Sequence, residues 1–203
     1  ALLPTLIIAI GAGLTIQFMN LFFSNVYGVR SRDFALLGAV TSLIASSGAI
    51  MTPYIKKRLG YKWAITGTQS LSTLALISLA TTQFFSEYTG MVFVAVFFYI
   101  MRQPLMNMAG PVTSELTMYY VGKNNREMLS ALVAAAWSGS WFFSGQLFKI
   151  FRTAGLDYVY IFYITAMLYV VGILLFYMLT KEYEKMKAAK NRSGEAAAFT
   201  TPE

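Results

Sequence analysis

Histidine and cysteine are both missing from the sequence. Their absence excludes disulfides, thiol nucleophiles, imidazole bases and most transition-metal sites. An intramembrane serine protease with a histidine base is impossible. An aspartyl one would need two aspartates at membrane depth, yet Asp33 and Asp157 fall in or beside connections between apolar runs. The chain therefore reads as a non-enzyme with no metal and no cofactor. Charge is scarce too. Only 12% of the 203 residues are charged, 57% are hydrophobic, and the charged ones cluster between long runs that contain almost none. That is the composition of a polytopic all-α membrane protein rather than a soluble domain.

A bilayer core of about 30 Å needs roughly 20 apolar residues per helical crossing. Six segments qualify, at about 1–23, 34–55, 63–84, 90–120, 127–150 and 157–180. Barrel strands would be about half as long and would alternate polar with apolar, which these segments do not. The chain opens at Ala1 directly inside an apolar run with Pro4 in its first turn, and so reads as a piece of something longer.

Lysine and arginine in short connections resist translocation and so set orientation. Lys56, Lys57, Arg58 and Lys62 lie in the second connection, Lys123 and Arg126 in the fourth, and Lys181, Lys185, Lys187, Lys190 and Arg192 after the sixth helix. The opposite side holds only Arg30, Arg32, Lys149 and Arg152. This asymmetry places both ends of the chain in the cytoplasm of a multi-pass protein of the cell membrane. It also accounts for the net charge of +7, together with anionic lipid headgroups, so no nucleic-acid partner is needed. The segment 181–203 reads as a cytoplasmic basic tail. "KEYEKMKAAKNR" can continue the sixth helix, and "SGEAAAFTTPE" has a disordered composition.

The six helices differ in character. The sixth is apolar on every face with tyrosines near both ends, which predicts a peripheral, lipid-facing helix. The second carries Gly38, Ser42, Ala45 and Gly48, a small-residue face for close helix approach. The first carries Gly13, Gln17, Asn20 and Ser24 at steps of four, three and four, hence on one face. Lipid cannot satisfy such a stripe, so it must look at a cavity, a water path or another polar helix, where a hydrogen bond would be worth about 1 kcal/mol.

In the fourth helix Gln103, Asn107, Gly110 and Ser114 repeat the same spacing, bordered by Arg102. This helix, about 46 Å long at 1.5 Å per residue, exceeds the membrane core, and Pro104 and Pro111 offer bend points. Arg102 falls about 18 Å deep, where burying a guanidinium costs at least about 2.5–3.5 kcal/mol. It should face water, a carboxylate or an anionic ligand, and the chain offers no carboxylate at that depth. Glu115 lies near the cytoplasmic face, close in depth to Lys56, Lys57, Arg58 and Arg126. That cluster is either a gate latch or a static surface ion pair. Trp137 and Trp141, one turn apart in the fifth helix, are candidates for a cavity wall or for bulky packing.

Taken together, "IKKRLGYK" between the second and third helices and "R-x-x-L-M-N-M-A-x-P" at 102–111, followed by Glu115 and the loop residue Arg126, resemble the C-terminal half of a major facilitator superfamily transporter over residues 1–180. In the family's turn motif Arg58, Gly60 and Lys62 fit, while Pro53 and Lys57 depart from it. The resemblance implies two inverted three-helix repeats, with the first and fourth helices lining the solute cavity, the second and fifth facing another six-helix half, and the third and sixth outside. It implies secondary active transport of a small solute by alternating access, without a cofactor, and Arg102 points to an anionic solute. The second half would be the N-terminal half of the same protein or a dimer mate. Candidate solute-binding residues are Gln17, Asn20, Arg102, Gln103, Asn107, Trp137 and Trp141, and candidate cytoplasmic-gate residues are Lys57, Arg58, Glu115 and Arg126. The competing expectation is a non-transporting six-helix assembly module or receptor. A channel is disfavoured by the lack of a filter-like segment or a mid-depth acidic ring.

Overall fold

A computed structural model describes residues 2–121 and 125–199, with side chains through residue 189 apart from Leu59. Lys123, the expected side-chain roles of Lys190 and Arg192, and the last four residues of the tail lie outside what is described. Every regular element among the described residues is helical. In chain order they are α1 (Leu2–Ile16), α2 (Met19–Tyr27), α3 (Ser31–Lys62), α4 (Thr68–Thr81), α5 (Met91–Val121), α6 (Arg126–Thr153) and α7 (Tyr158–Phe199). Four stretches are long and apolar enough to cross a membrane: Leu2–Tyr27, Ser31–Arg58, Met91–Val121 and Tyr158–Ala189. The third expected segment is divided into a π turn at Trp63–Gly67, α4 and a 3-10 turn at Thr82–Phe85. The fifth, α6, is one long helix in which Ser130, Ser138, Ser140, Ser144 and Gln146 dilute the apolar content.

The connections follow from local backbone chemistry. The break between α1 and α2 sits at Gln17 and Phe18, where Phe18 N–H reaches back to Thr15 O at 3.2 Å. Gly28 adopts φ 66° and closes α2, its N–H on Ser24 O at 3.0 Å while Val29 N–H takes Phe23 O at 3.1 Å. That left-handed turn suits glycine because it lacks a Cβ. Gly60, at φ 78° and ψ 174°, is the single non-helical residue inside α3 and is the true corner between the second and third rods. The fourth rod, α5, stays one helix through both Pro104 and Pro111.

The rods pair in a definite pattern: α1 packs on α6 and α7, α3 on α5, and α4 on α5 and α7. The centre is aromatic, with Phe22 and Phe23 of α2 meeting Phe162 of α7 and Tyr99 of α5 at ring-centroid distances of 5.2 and 5.7 Å. Contrary to the peripheral placement expected from its even hydrophobicity, α7 is deeply seated. Its Tyr158, Phe162, Thr165, Tyr169, Phe176 and Tyr183 are buried, while Met167, Leu174 and Met178 face outward. A helix apolar on all sides has no polarity stripe, so shape selects its buried face. Here the selection is made by glycines. A Cβ at Gly11 would meet the Tyr169 ring at 2.9 Å, and one at Gly172 would meet Ile8 at 2.6 Å. The small-residue face of α3 is used only in its lower part. Ala45 and Gly48 are buried, Gly48 against Met108 and Pro104 of α5, whereas a Cβ at Gly38 would meet nothing within 4 Å.

Candidate functional site

On α5 the residues Ala95, Tyr99, Arg102, Ala109, Val112 and Leu116 are all buried, and their spacing puts them on the face turned into the bundle. Gln103 is half-buried and Asn107 exposed, about 100° or more around the helix from Arg102. The sequence places Arg102 beside the polar stripe, and the structure shows that it belongs to the opposite, packed face. It is 1% exposed. Its Nη2 donates to Tyr169 Oη at 3.1 Å and to Thr15 Oγ1 at 3.4 Å, and Nη1 reaches Gln103 Oε1 at 3.4 Å. Nε has no partner. Ser72 of α4 donates to the Arg102 carbonyl at 3.1 Å, which locks the same turn from behind. Arg102 therefore meets neutral groups, where the sequence called for water, a carboxylate or an anion.

The polar stripe opens instead on a cavity of about 380 Å³ between α1, α5 and α6. Asn107, Thr113, Ser114 and Thr117 of α5 supply its polar wall, and Ser130 and Trp137 of α6 face them. Ile8 and Ala12 of α1, Met106, Val133 and Phe176 make up much of its apolar surface. Gln69, from the third rod, completes the wall. It is 4% exposed and its Oε1 has no partner. No wall residue carries a charge. A second space of about 370 Å³ lies between α3 and α5, lined by Ser42, Ser46, Gln103 and Asn107 among others, so Asn107 borders both.

Of the remaining candidates, Gln17 sits at the α1–α2 break with Nε2 3.5 Å from the Trp141 carbonyl. Asn20 is half-buried with Oδ1 unpartnered, and Trp141 is 42% exposed. The structure thus brings Asn107 and Trp137 together in one cavity. Gln17 and Trp141 meet beside it, Gln103 borders only the second space, and Arg102 stands apart.

At the end of the bundle expected to be cytoplasmic, Glu115 pairs with Lys56 at 2.5 Å and accepts a hydrogen bond from Tyr61. The partner of Glu115 is thus Lys56, while Lys57 and Arg58 are exposed. Arg126 shares a cleft of about 430 Å³ with Glu115, Tyr61, Tyr119 and Tyr183. Burial, together with the hydrogen bond to Glu115, raises the pKa of the Tyr61 phenol well above its ordinary value, so it keeps its proton and donates. The Lys56 ammonium also lies 4.5 Å above the Tyr61 ring.

Gln69 and Tyr61 complete these sites without having been singled out, and Lys56 was named in the charge cluster though not among the candidate gate residues. Gln69 was legible only as a lone amide in an apolar run, and Tyr61 had no signal beyond its place in the turn. No group of metal-ligating side chains occurs among the described residues. Compared with protein-family models, curated proteins and solved structures, the chain matches none.

Proposed function

We propose that the chain is one half of a secondary transporter. Six membrane-crossing rods form two inverted three-helix repeats, and a small solute moves as this half rocks against a second six-helix half, either from the same protein or from a dimer mate. The observation that carries this reading is a symmetry of packing. Exchanging the first, second and third rods for the fourth, fifth and sixth maps the pairings onto themselves: α1 on α6 becomes α5 on α3, α1 on α7 becomes α5 on α4, and α4 on α7 is unchanged. The clamps follow the same exchange. Ser144 of α6 donates to the Ile10 carbonyl of α1 at 2.8 Å, and Thr52 of α3 donates to the Met108 carbonyl of α5 at 3.1 Å. Such internal symmetry, with polar stripes on the first rod of each repeat, is the architecture on which alternating access is built.

In the orientation given by the basic residues, both ends of the chain are cytoplasmic in a cell-membrane protein. The cavity, walled by the early turns of α1 and α6 and the later turns of α5, then lies in the cytoplasmic half. Glu115, Lys56, Tyr61 and Arg126 stand at its mouth, where they would latch one state against the other. Because Arg102 is no wall of the cavity, the anionic solute it suggested loses its anchor. The test is reconstitution with its second half into liposomes, followed by uptake of a panel of labelled solutes. A transporter gives saturable flux, and its solute raises thermal stability by mass action. Absence of both across the panel would favour a non-transporting assembly module.

A further inference from the structure

We infer that the cavity between α1, α5 and α6 selects an uncharged amphipathic molecule, one with an apolar body and a hydroxyl or amide-like polar group for the Gln69 amide. The inference rests on the transport reading for the role of the cavity and adds the chemistry of its occupant. Three observations carry it. First, among all the walls there is no ionised group, so a charged solute would leave water with no countercharge to meet it, and that desolvation is costly. Second, the opposed surfaces are an aromatic and aliphatic set from Ile8, Val133, Trp137 and Phe176, which suits a ring or a branched hydrocarbon body. Third, Gln69 is 4% exposed with its Oε1 unpartnered. An amide on a desolvated wall favours an occupant that brings a polar group to it over one that brings only hydrocarbon. Two of the α5 hydroxyls on the wall are already committed within the helix, Thr113 to Gly110 O at 2.8 Å and Thr117 to Thr113 O at 2.7 Å.

The cavity holds its own reporter. Trp137 lines it, and the other two tryptophans, Trp63 and Trp141, are exposed. In lipid nanodiscs, with Trp63→Phe and Trp141→Phe, fluorescence of Trp137 is titrated with three matched quenchers: 4-nitrobenzyl alcohol, 4-nitrobenzoate and 4-nitrobenzylamine. The alcohol is expected to quench saturably, with both ions at least about tenfold weaker. Gln69→Leu and Gln69→Met should each weaken the alcohol by about tenfold, the loss of one hydrogen bond to a desolvated group. Both variants delete an unpartnered acceptor, so the chain should melt no lower than the parent.

The inference is overturned if nitrobenzoate or nitrobenzylamine binds as tightly as the alcohol, if all three quench only linearly as lipid-partitioned solutes, or if neither Gln69 variant changes the alcohol's affinity. Flux is read separately in liposomes. Saturable binding of the alcohol without flux of any solute would remove transport and leave the site, whereas flux with equally tight benzoate binding would leave transport and remove the proposed selectivity.

Discussion

Two of the three hydrogen bonds that Arg102 makes are 3.4 Å long, beyond the usual N–H···O range of about 2.7–3.2 Å, and none reaches an anion. The aromatic face of Tyr169, 5.9 Å from the guanidinium carbon, adds only a weak attraction. The charge is thus under-compensated where it is fully buried, and a hydrophobic isostere should do better. Arg102→Met is expected to raise stability by about 1–3 kcal/mol, read from reversible unfolding in mixed micelles. A fall in stability instead would mean that the neutral shell already compensates the cation. The Glu115 pair is the opposite case. With its side chains 27% and 52% exposed, Lys56→Met should change stability by less than about 1 kcal/mol in the same assay. Depth alone marked Arg102 as unusual in the sequence, and it was indeed unusual. Which way it pointed depended on one helical residue step, and that was settled by the packing of this face, with Tyr99 against Phe23 of α2 and Phe34 of α3, and Arg102 itself held by Ser72 of α4 and Tyr169 of α7. Gln69 was harder to find, because an isolated amide in an apolar helix looks the same whether it meets a partner helix or a cavity.

Helix corners were legible to within a few residues because glycine and charge punctuate them: Gly28 ends the first rod, and Gly60 turns the second into the third. The division of the third rod into π, α and 3-10 pieces had no comparable signal, since backbone hydrogen-bond register responds to packing more than to composition. Gly60 makes the corner testable. Its φ and ψ lie in a region that is essentially glycine-only, and a Cβ there would touch nothing within 4 Å. Any penalty for Gly60→Ala is therefore conformational, expected at about 1–3 kcal/mol in an unfolding titration. Gly38, where an added Cβ would likewise meet nothing within 4 Å but which lies inside the helix, gives the control. Gly38→Ala should be neutral or stabilise by up to about 1 kcal/mol, because alanine is the better helix former. Equal effects at the two sites would contradict the corner. The burial of α7 shows where such reading stops. Its interior face follows from grooves at Gly11 and Gly172 that receive Tyr169 and Ile8, and such complementarity exists only once two helices are together.

At the scale of the whole molecule, the open question is how many rods cross the bilayer. Length and composition qualify Leu2–Tyr27, Ser31–Arg58, Met91–Val121 and Tyr158–Ala189, while the rods built on α4 and α6 fall short. The packing symmetry pairs those two with rods that qualify, α4 with α7 and α6 with α3, and an inverted repeat requires all six to cross. Because the sequence has no cysteine, single substitutions with a membrane-impermeant maleimide can decide the matter without background. If all six rods cross, Arg30→Cys and Glu87→Cys are labelled from outside intact cells, and Lys57→Cys and Arg126→Cys only after permeabilisation. If α4 and α6 stay on one surface, Arg30 and Lys57 behave as before, but Glu87→Cys becomes protected and Arg126→Cys becomes accessible. The two arrangements thus differ by an interchange at Glu87 and Arg126. The second would remove the inverted repeat, and with it the reason to place Glu115 and Arg126 at a cytoplasmic mouth.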